Sequence, residues 1–176
     1  YAHVLTEFGL RPGDRVAVQI EKSPQSLAIY AACVQAGLIF LPLNTAYTAS
    51  ELSYFLEDSG ARVVICDPKS QETLAPIAQA TGAQLETMDA AGEGSFAQKA
   101  AAQPMEFATV PREAEDLAAF LYTSGTTGRS KGAMLTQNNL LSNAEVLTRH
   151  WAFSATDALL HALPIFHTHG LFVATN

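Results

Sequence analysis

Arg15-Val16-Ala17-Val18-Gln19-Ile20, then Ser23-Pro24, then Leu38-Ile39-Phe40-Leu41-Pro42-Leu43 is the stretch that decides the fold. Its first and last runs are short and apolar, which predicts buried strands. Arg11-Pro12-Gly13-Asp14 before it is turn chemistry. Ser23 suits a helix N-cap with Pro24 at the first helical position. Leu27, Tyr30, Ala31 and Val34 then form one helical stripe, and Ile29, Ala32, Cys33 and Ala36 a second. Apolar residues on both sides predict burial on both sides. Gly37 ends the helix. The 18 residues from Ser26 to Leu43 are mostly apolar, but Gln35, Gly37 and Pro42 interrupt them and a membrane span needs about 20 apolar residues. The reading is a buried helix running into a buried strand.

The same alternation continues outward. Thr48-Ala49-Ser50-Glu51 matches a capping box, with Leu52, Phe55 and Leu56 as the helical stripe and Gly60 as its stop. Ala61 to Cys66 predicts a third strand. A helix starting near Thr73 places Pro76 within its first turn, where proline costs little. Gln84 to Met88 predicts a fourth strand. The fold class is therefore α/β, with stacked βαβ units and a mostly parallel sheet. Residues 90–116 read as a short helix around Phe96-Ala97-Gln98-Lys99 and a surface connection. That divides the chain into a βαβ subdomain over 1–112 and a second part over 113–176. In the second part Leu117 to Leu121 and Ala133 to Leu135 read as strands. Thr136 is a cap for a helix whose stripe is Leu140, Ala144, Leu147 and a core Trp151. Asp157 to Pro164 reads as a strand that delivers Phe166-His167-Thr168-His169-Gly170 at its carboxyl end, the edge where open parallel sheets bind ligands.

Composition narrows the function. The chain has 176 residues, 48% apolar and 15% charged, enough for one domain with a substantial core. A net charge of −7 argues against a general nucleic-acid surface and against acidic lipid. An anionic substrate would then be met by local cations and backbone donors. Cys33 and Cys66 lie in apolar contexts without CxxC spacing, and read as reduced core residues of a cytoplasmic protein.

Between the two strands of the second part lies Tyr122-Thr123-Ser124-Gly125-Thr126-Thr127-Gly128-Arg129-Ser130-Lys131-Gly132. It combines small hydroxyl residues, three glycines and two cations. Glycine lets a backbone bend sharply and a ligand come close. Hydroxyls and N–H groups in such a bend, beside a lysine, make a concave anion site. A Walker loop is excluded, because Thr126 and Thr127 alone separate Gly125 from Gly128 and Gly132 follows Lys131. The G-x-G-x-x-G fingerprint is absent. The loop joins two strands, so no helix dipole lies under the phosphates. Ser-Gly-Thr-Thr-Gly alone favours a solvated hairpin; the full eleven residues favour a phosphate grip.

Tyr122 to Gly132 resembles the phosphate-binding signature of the adenylate-forming enzymes: acyl-CoA synthetases, luciferases and peptide-synthetase adenylation domains. Ala36 to Asn44 resembles an upstream block of that family, and Leu163 to Gly170 a downstream one. Within the family, Phe166 to Phe172 and Arg129-Ser130-Lys131 are most similar to the malonyl-CoA synthetases.

The resemblance implies part of the N-terminal domain of an ATP-dependent carboxylate–CoA ligase, passing malonate through malonyl-adenylate to malonyl-CoA. Its small-molecule partners would be ATP, a carboxylic acid and coenzyme A. Thr123, Ser124, Gly125, Thr126, Thr127 and Gly128 would hold the β- and γ-phosphates, with Lys131 adding charge. Mg2+ would ride on the nucleotide, with Thr126 as a possible protein ligand. His167 would stand beside the reacting carboxylate and α-phosphate, and His169 would line the acyl pocket. Either histidine is also readable as a satisfied side chain at a strand end, and His161 and Asp67 as structural. A zinc site is disfavoured, since His167 and His169 offer two ligands with no third nearby.

Two other readings stay open: a ligase for a different short or medium acid, and a non-catalytic nucleotide- or phosphate-binding α/β domain. The first residue is Tyr1 and the last run is apolar, so the expectation is the first part of a longer enzyme. The family's adenine- and ribose-binding blocks and its C-terminal domain, with its catalytic lysine, are not in the sequence, and the chain as given is expected to be inactive alone.

Overall fold

The computed structural model describes residues 1–123 and 129–176. Six strands form one sheet: β1 (Arg15–Gln19), β2 (Ile39–Pro42), β3 (Val63–Cys66), β4 (Gln84–Thr87), β5 (Leu117–Thr123) and β6 (Lys131–Thr136). Their order across the sheet is β4-β3-β1-β2-β5-β6. All neighbours are parallel except β5 and β6, which form an antiparallel hairpin. The helices are α1 (Ala2–Glu7), α2 (Pro24–Gln35), α3 (Ala49–Ser59), α4 (Gln71–Thr81), α5 (Ser95–Ala101) and α6 (Gln137–His150).

The strand order explains the layers. The chain steps one way from β1 to β2, back across to β3 and β4, then forward again to β5. Parallel crossovers are right-handed, so each change of direction moves the connecting helix to the other face. Accordingly α1, α2, α5 and Leu140 of α6 pack with Val16, Val18, Phe40, Val63 and Ile65. On the opposite face α3 and α4 pack with Ala17, Leu41, Val64 and Cys66. Strands buried on both faces have no polar side to show, so they read as continuous apolar runs. Burial pushes the Cys66 thiol up to about 12, with Asp67 adding to the effect, and burial alone raises Cys33. Both thiols stay protonated and inert.

Local signals set the helix starts. The Ser23 hydroxyl accepts from the Ser26 N–H, and the Ser23 N–H donates to the Ser26 hydroxyl oxygen in return. Thr48 with Glu51 and Thr136 with Asn139 form the same reciprocal box. The expected stops Gly37 and Gly60 are left-handed, with φ of 69° and 60°.

Four expectations need correction. Pro76 lies in the second turn of α4, because a tight turn at Pro68–Ser70, capped by Asp67, starts the helix at Gln71. One α2 stripe is only partly covered: Tyr30 is buried, but Ala31 and Val34 are exposed in a groove shared with Leu140 and Leu141 of α6. Trp151 is not in the core. It caps the carboxyl end of α6, 52% exposed, edge-on to Phe153. Asp157 to Pro164 is not a strand; among the described residues no strand pairs with it, and its exposed backbone is instead held by side chains. Lys22 Nζ donates to the carbonyls of His161 and Leu163, and the His161 ring bonds the Gly170 carbonyl. Among the described residues no helix is long and apolar enough to cross a membrane.

Glu86 on β4 is 4% exposed. Burial opposes its charge, but Ser95, Lys99 and Gln84 donate to it and hold its carboxyl below the ordinary glutamate range. An unfolded glutamate titrates near ~4.3, so this carboxylate stabilises the fold above that pH and loses its contribution as pH falls through the native value. Glu86→Gln is expected to cost about 1–3 kcal/mol at neutral pH, the scale of hydrogen bonds to a charged group. The deficit in the thermal midpoint of the intact protein should be largest near pH 7 and shrink in acid below about pH 4. An equal deficit at both pH values would count against the carboxylate account.

Candidate functional site

The carboxyl ends of β1, β2, β3 and β5 point to one edge of the sheet, and the β5–β6 hairpin turns there. That edge collects the chemistry-bearing residues.

At the hairpin, Thr123 opposes Lys131 and Tyr122 opposes Gly132. Thr123 Oγ1 donates to the Lys131 carbonyl at 3.3 Å. Both side chains are exposed. Among the described residues no carboxylate lies within ion-pair reach of Lys131. Ser124, Gly125, Thr126, Thr127 and Gly128 lie outside the described residues. Gly132 is required by close approach: a Cβ there would sit 2.2 Å from the Phe120 ring. The hairpin legs rest on α3. Tyr122 stacks on Phe55, with centroids 4.1 Å apart, and donates to Asp58 Oδ2 at 2.6 Å. Burial and that carboxylate push the Tyr122 phenol far above its ordinary value, so it remains a donor. On the other leg Tyr54 Oη donates to the Ser130 carbonyl at 3.0 Å, and the Arg129 guanidinium lies 4.9 Å from the Tyr54 ring centroid.

The histidine segment reaches the same edge without the expected strand. Ile165 is buried in the same apolar cluster as Val18 and Ile20 and, with Phe166, Pro42 and Leu43, lines a small cavity at the ends of β1 and β2. His167 and His169 are exposed, their rings nearly parallel at 5.6 Å between centroids. The His167 carbonyl accepts from the Leu171 N–H at 3.0 Å, at the start of a wide helical turn over His169–Val173. Gly170 again reflects close approach, since a Cβ would lie 2.0 Å from the Pro164 carbonyl oxygen. His169 also lines a mainly apolar cavity of about 530 Å³ with Leu147, Trp151, Phe153 and Leu160. Among the described residues no group of three or more His, Cys, Asp or Glu side chains converges as a metal site.

Sequence reading missed Tyr54, Asp58 and Lys22. Each acts across the fold, on a partner between 64 and 141 residues away. Local pattern carries no signal for such pairs.

The chain is 39% identical over 170 residues to a protein named feruloyl-CoA synthase from Amycolatopsis sp, covering 97% of this chain and 33% of that protein. It is 30% identical over 169 residues to one named malonate–CoA ligase from Arabidopsis thaliana, covering 95% and 28%. The crystal structure of ATP-bound MatB from Rhodopseudomonas palustris matches with a TM-score of 0.96 at 55% identity, over 99% of this chain and 35% of that one. The chain thus spans about a third of the length of the proteins it matches. A family profile described as AMP-binding enzyme matches residues 1–176. With that match over its whole length, the chain belongs to the AMP-binding enzyme family.

Proposed function

We propose that this chain supplies the phosphate grip and part of the acyl site of an ATP-dependent carboxylate–CoA ligase acting on malonate. The observation that carries the reading is the shared edge: a hairpin bearing Thr123 and Lys131 turns at the same sheet edge to which Ile165 brings His167 and His169. The substrate carboxylate attacks the α-phosphate of ATP, the bond to the β-phosphate breaks and diphosphate leaves with its electron pair. Coenzyme A sulfur then attacks the acyl carbonyl and AMP departs. No protein nucleophile is needed. What the protein must supply is fixed positive charge and donors where charge builds on oxygen.

In this reading Thr123 and Lys131, with Ser124 to Gly128 between them, hold the outer phosphates. Magnesium comes with the nucleotide, with Thr126 as its proposed protein contact. His167 donates to the reacting carboxylate, and protonation would strengthen that contact. His169 lines the acyl side, consistent with its place on the apolar cavity. Malonate is favoured by the likeness of residues 166–172 to malonate-activating enzymes and by the relative named malonate–CoA ligase. A larger aromatic acid is the second reading, favoured by the relative named feruloyl-CoA synthase.

The test is diphosphate release by the full-length enzyme with ATP–magnesium and either malonate or ferulate. Malonate should be turned over with the higher kcat/KM. His167→Ala should lower that value about 10–100-fold, as expected for loss of one positioned donor. Preference for ferulate would replace the malonate reading, and release with neither acid would overturn both substrate readings.

A further inference from the structure

The two legs of the phosphate hairpin are held by one face of one helix. Tyr54 and Asp58 lie four residues apart on α3 and so project from the same side. Asp58 accepts from Tyr122, which immediately precedes Thr123 on the entering leg. Tyr54 donates to Ser130, which immediately precedes Lys131 on the leaving leg. The rung between Thr123 and Lys131 is thereby braced from both sides. The Tyr54 ring also carries the Arg129 guanidinium, which engages that cation with the helix while Lys131 stays exposed. The platform is firm. Leu52, Phe55 and Leu56 of α3 are buried against the sheet, and its first turn is closed by the Thr48–Glu51 box.

We propose that Tyr54 and Asp58 are positioning residues for the nucleotide, setting the spacing and aim of the groups that grip its outer phosphates. The proposal rests on the phosphate-grip reading given above. Its physical basis is preorganisation: a donor contributes to phosphoryl chemistry only if it is already held where charge will appear. Asp58 is exposed, and the Tyr54 ring, half-buried against the core beside Phe55, is retained in Tyr54→Phe. Removing their polar atoms therefore opens no interior cavity.

The experiment uses the full-length enzyme and reads diphosphate release while ATP–magnesium and the acid it turns over fastest are varied separately. Tyr54→Phe keeps the ring under Arg129 and removes the bond to Ser130. Asp58→Ala removes the nearer acceptor of Tyr122, at 2.6 Å, leaving the Phe55 carbonyl at 3.2 Å, and Asp58→Asn restores a neutral one. Tyr54→Phe and Asp58→Ala should each raise the KM for ATP about tenfold, the scale of one lost hydrogen bond to a charged or well-aligned partner. The KM for the acid and the ligand-free Tm should hold, and Asp58→Asn should recover most of the ATP effect.

An ATP KM within about twofold of wild type in both variants, or one that shifts in step with the acid KM and a falling Tm, overturns the proposal. Lys131→Ala run in parallel separates the two levels. If it impairs ATP use while the α3 variants do not, the bracing role alone fails. If it too is without effect, the phosphate-grip reading fails, and this proposal with it.

Discussion

Lys131→Ala is expected, on the phosphate-grip reading proposed above, to lower the rate of diphosphate release by the full-length protein about 10²–10³-fold, the usual loss when one preorganised charge is removed from a developing anion. Lys131 opens β6, directly across from Thr123 and beside the turn. Its side chain is exposed, with no carboxylate within ion-pair reach among the described residues. The charge is therefore available to a ligand rather than consumed by the fold. For the same reason the substitution should leave Tm nearly unchanged, since exposed positions of this kind usually move stability by less than about 0.5 kcal/mol. Lys131→Arg should recover part of the rate, because it keeps the charge but replaces a compact ammonium with a planar fork. Single-turnover diphosphate release and a thermal scan on the same preparations check both halves. A rate within about twofold of wild type would remove Lys131 from the chemistry.

Gly170→Ala is expected to have the second largest effect, and on both readouts. The added methyl would meet the Pro164 carbonyl oxygen at 2.0 Å and its carbon at 2.7 Å. Those are backbone atoms, so no rotamer change relieves the clash. The Pro164 carbonyl also accepts from the His167 N–H, at 3.4 Å, and the neighbouring Leu163 carbonyl accepts from Lys22. Moving this backbone shifts the histidine segment as a whole. Overpacking of this sort costs about 1–3 kcal/mol, and a displacement of about 1 Å in a positioning group can cost 10²-fold in rate. The expected result is a lower Tm with kcat/KM reduced about 100-fold. An unchanged Tm together with full activity would show that the segment tolerates the shift.

The contrast between what could be read from sequence and what could not follows the range of the interactions. The strands of the parallel sheet were legible because burial on both faces leaves an uninterrupted apolar run, as in Val63-Val64-Ile65-Cys66. Helix starts were legible because Ser23, Thr48 and Thr136 settle their caps within three residues. The hairpin was legible from the apolar runs on either side of its glycines. Asp157 to Pro164 misled because apolar content resembles a strand, whereas a strand exists only if a neighbour offers a ladder. Here Lys22 takes up two of its carbonyls instead. Trp151 misled because periodicity places it on the Leu140 stripe but does not say how far along α6 that stripe stays covered; Leu140 is buried and Trp151 is exposed. Of the candidate site, the hairpin's polar residues and the two histidines were visible in the chain. The support from Tyr54 and Asp58 was not, since it depends on α3 crossing to the layer faced by Phe120 and Tyr122.

The strand order also governs the sequence of assembly during synthesis. β2 and β5 meet through Phe40 and Ala119, on the order of 80 residues apart, and contacts that distant form late because the intervening chain must first be confined. Strands β1 to β4 can associate while β5 is still inside the ribosome. During that interval the outer edge of β2 is bare and open to pairing with another nascent chain. Substitutions that delay docking of β5 should therefore surface first as lost yield and inclusion bodies, before any defect is seen in the protein that does mature.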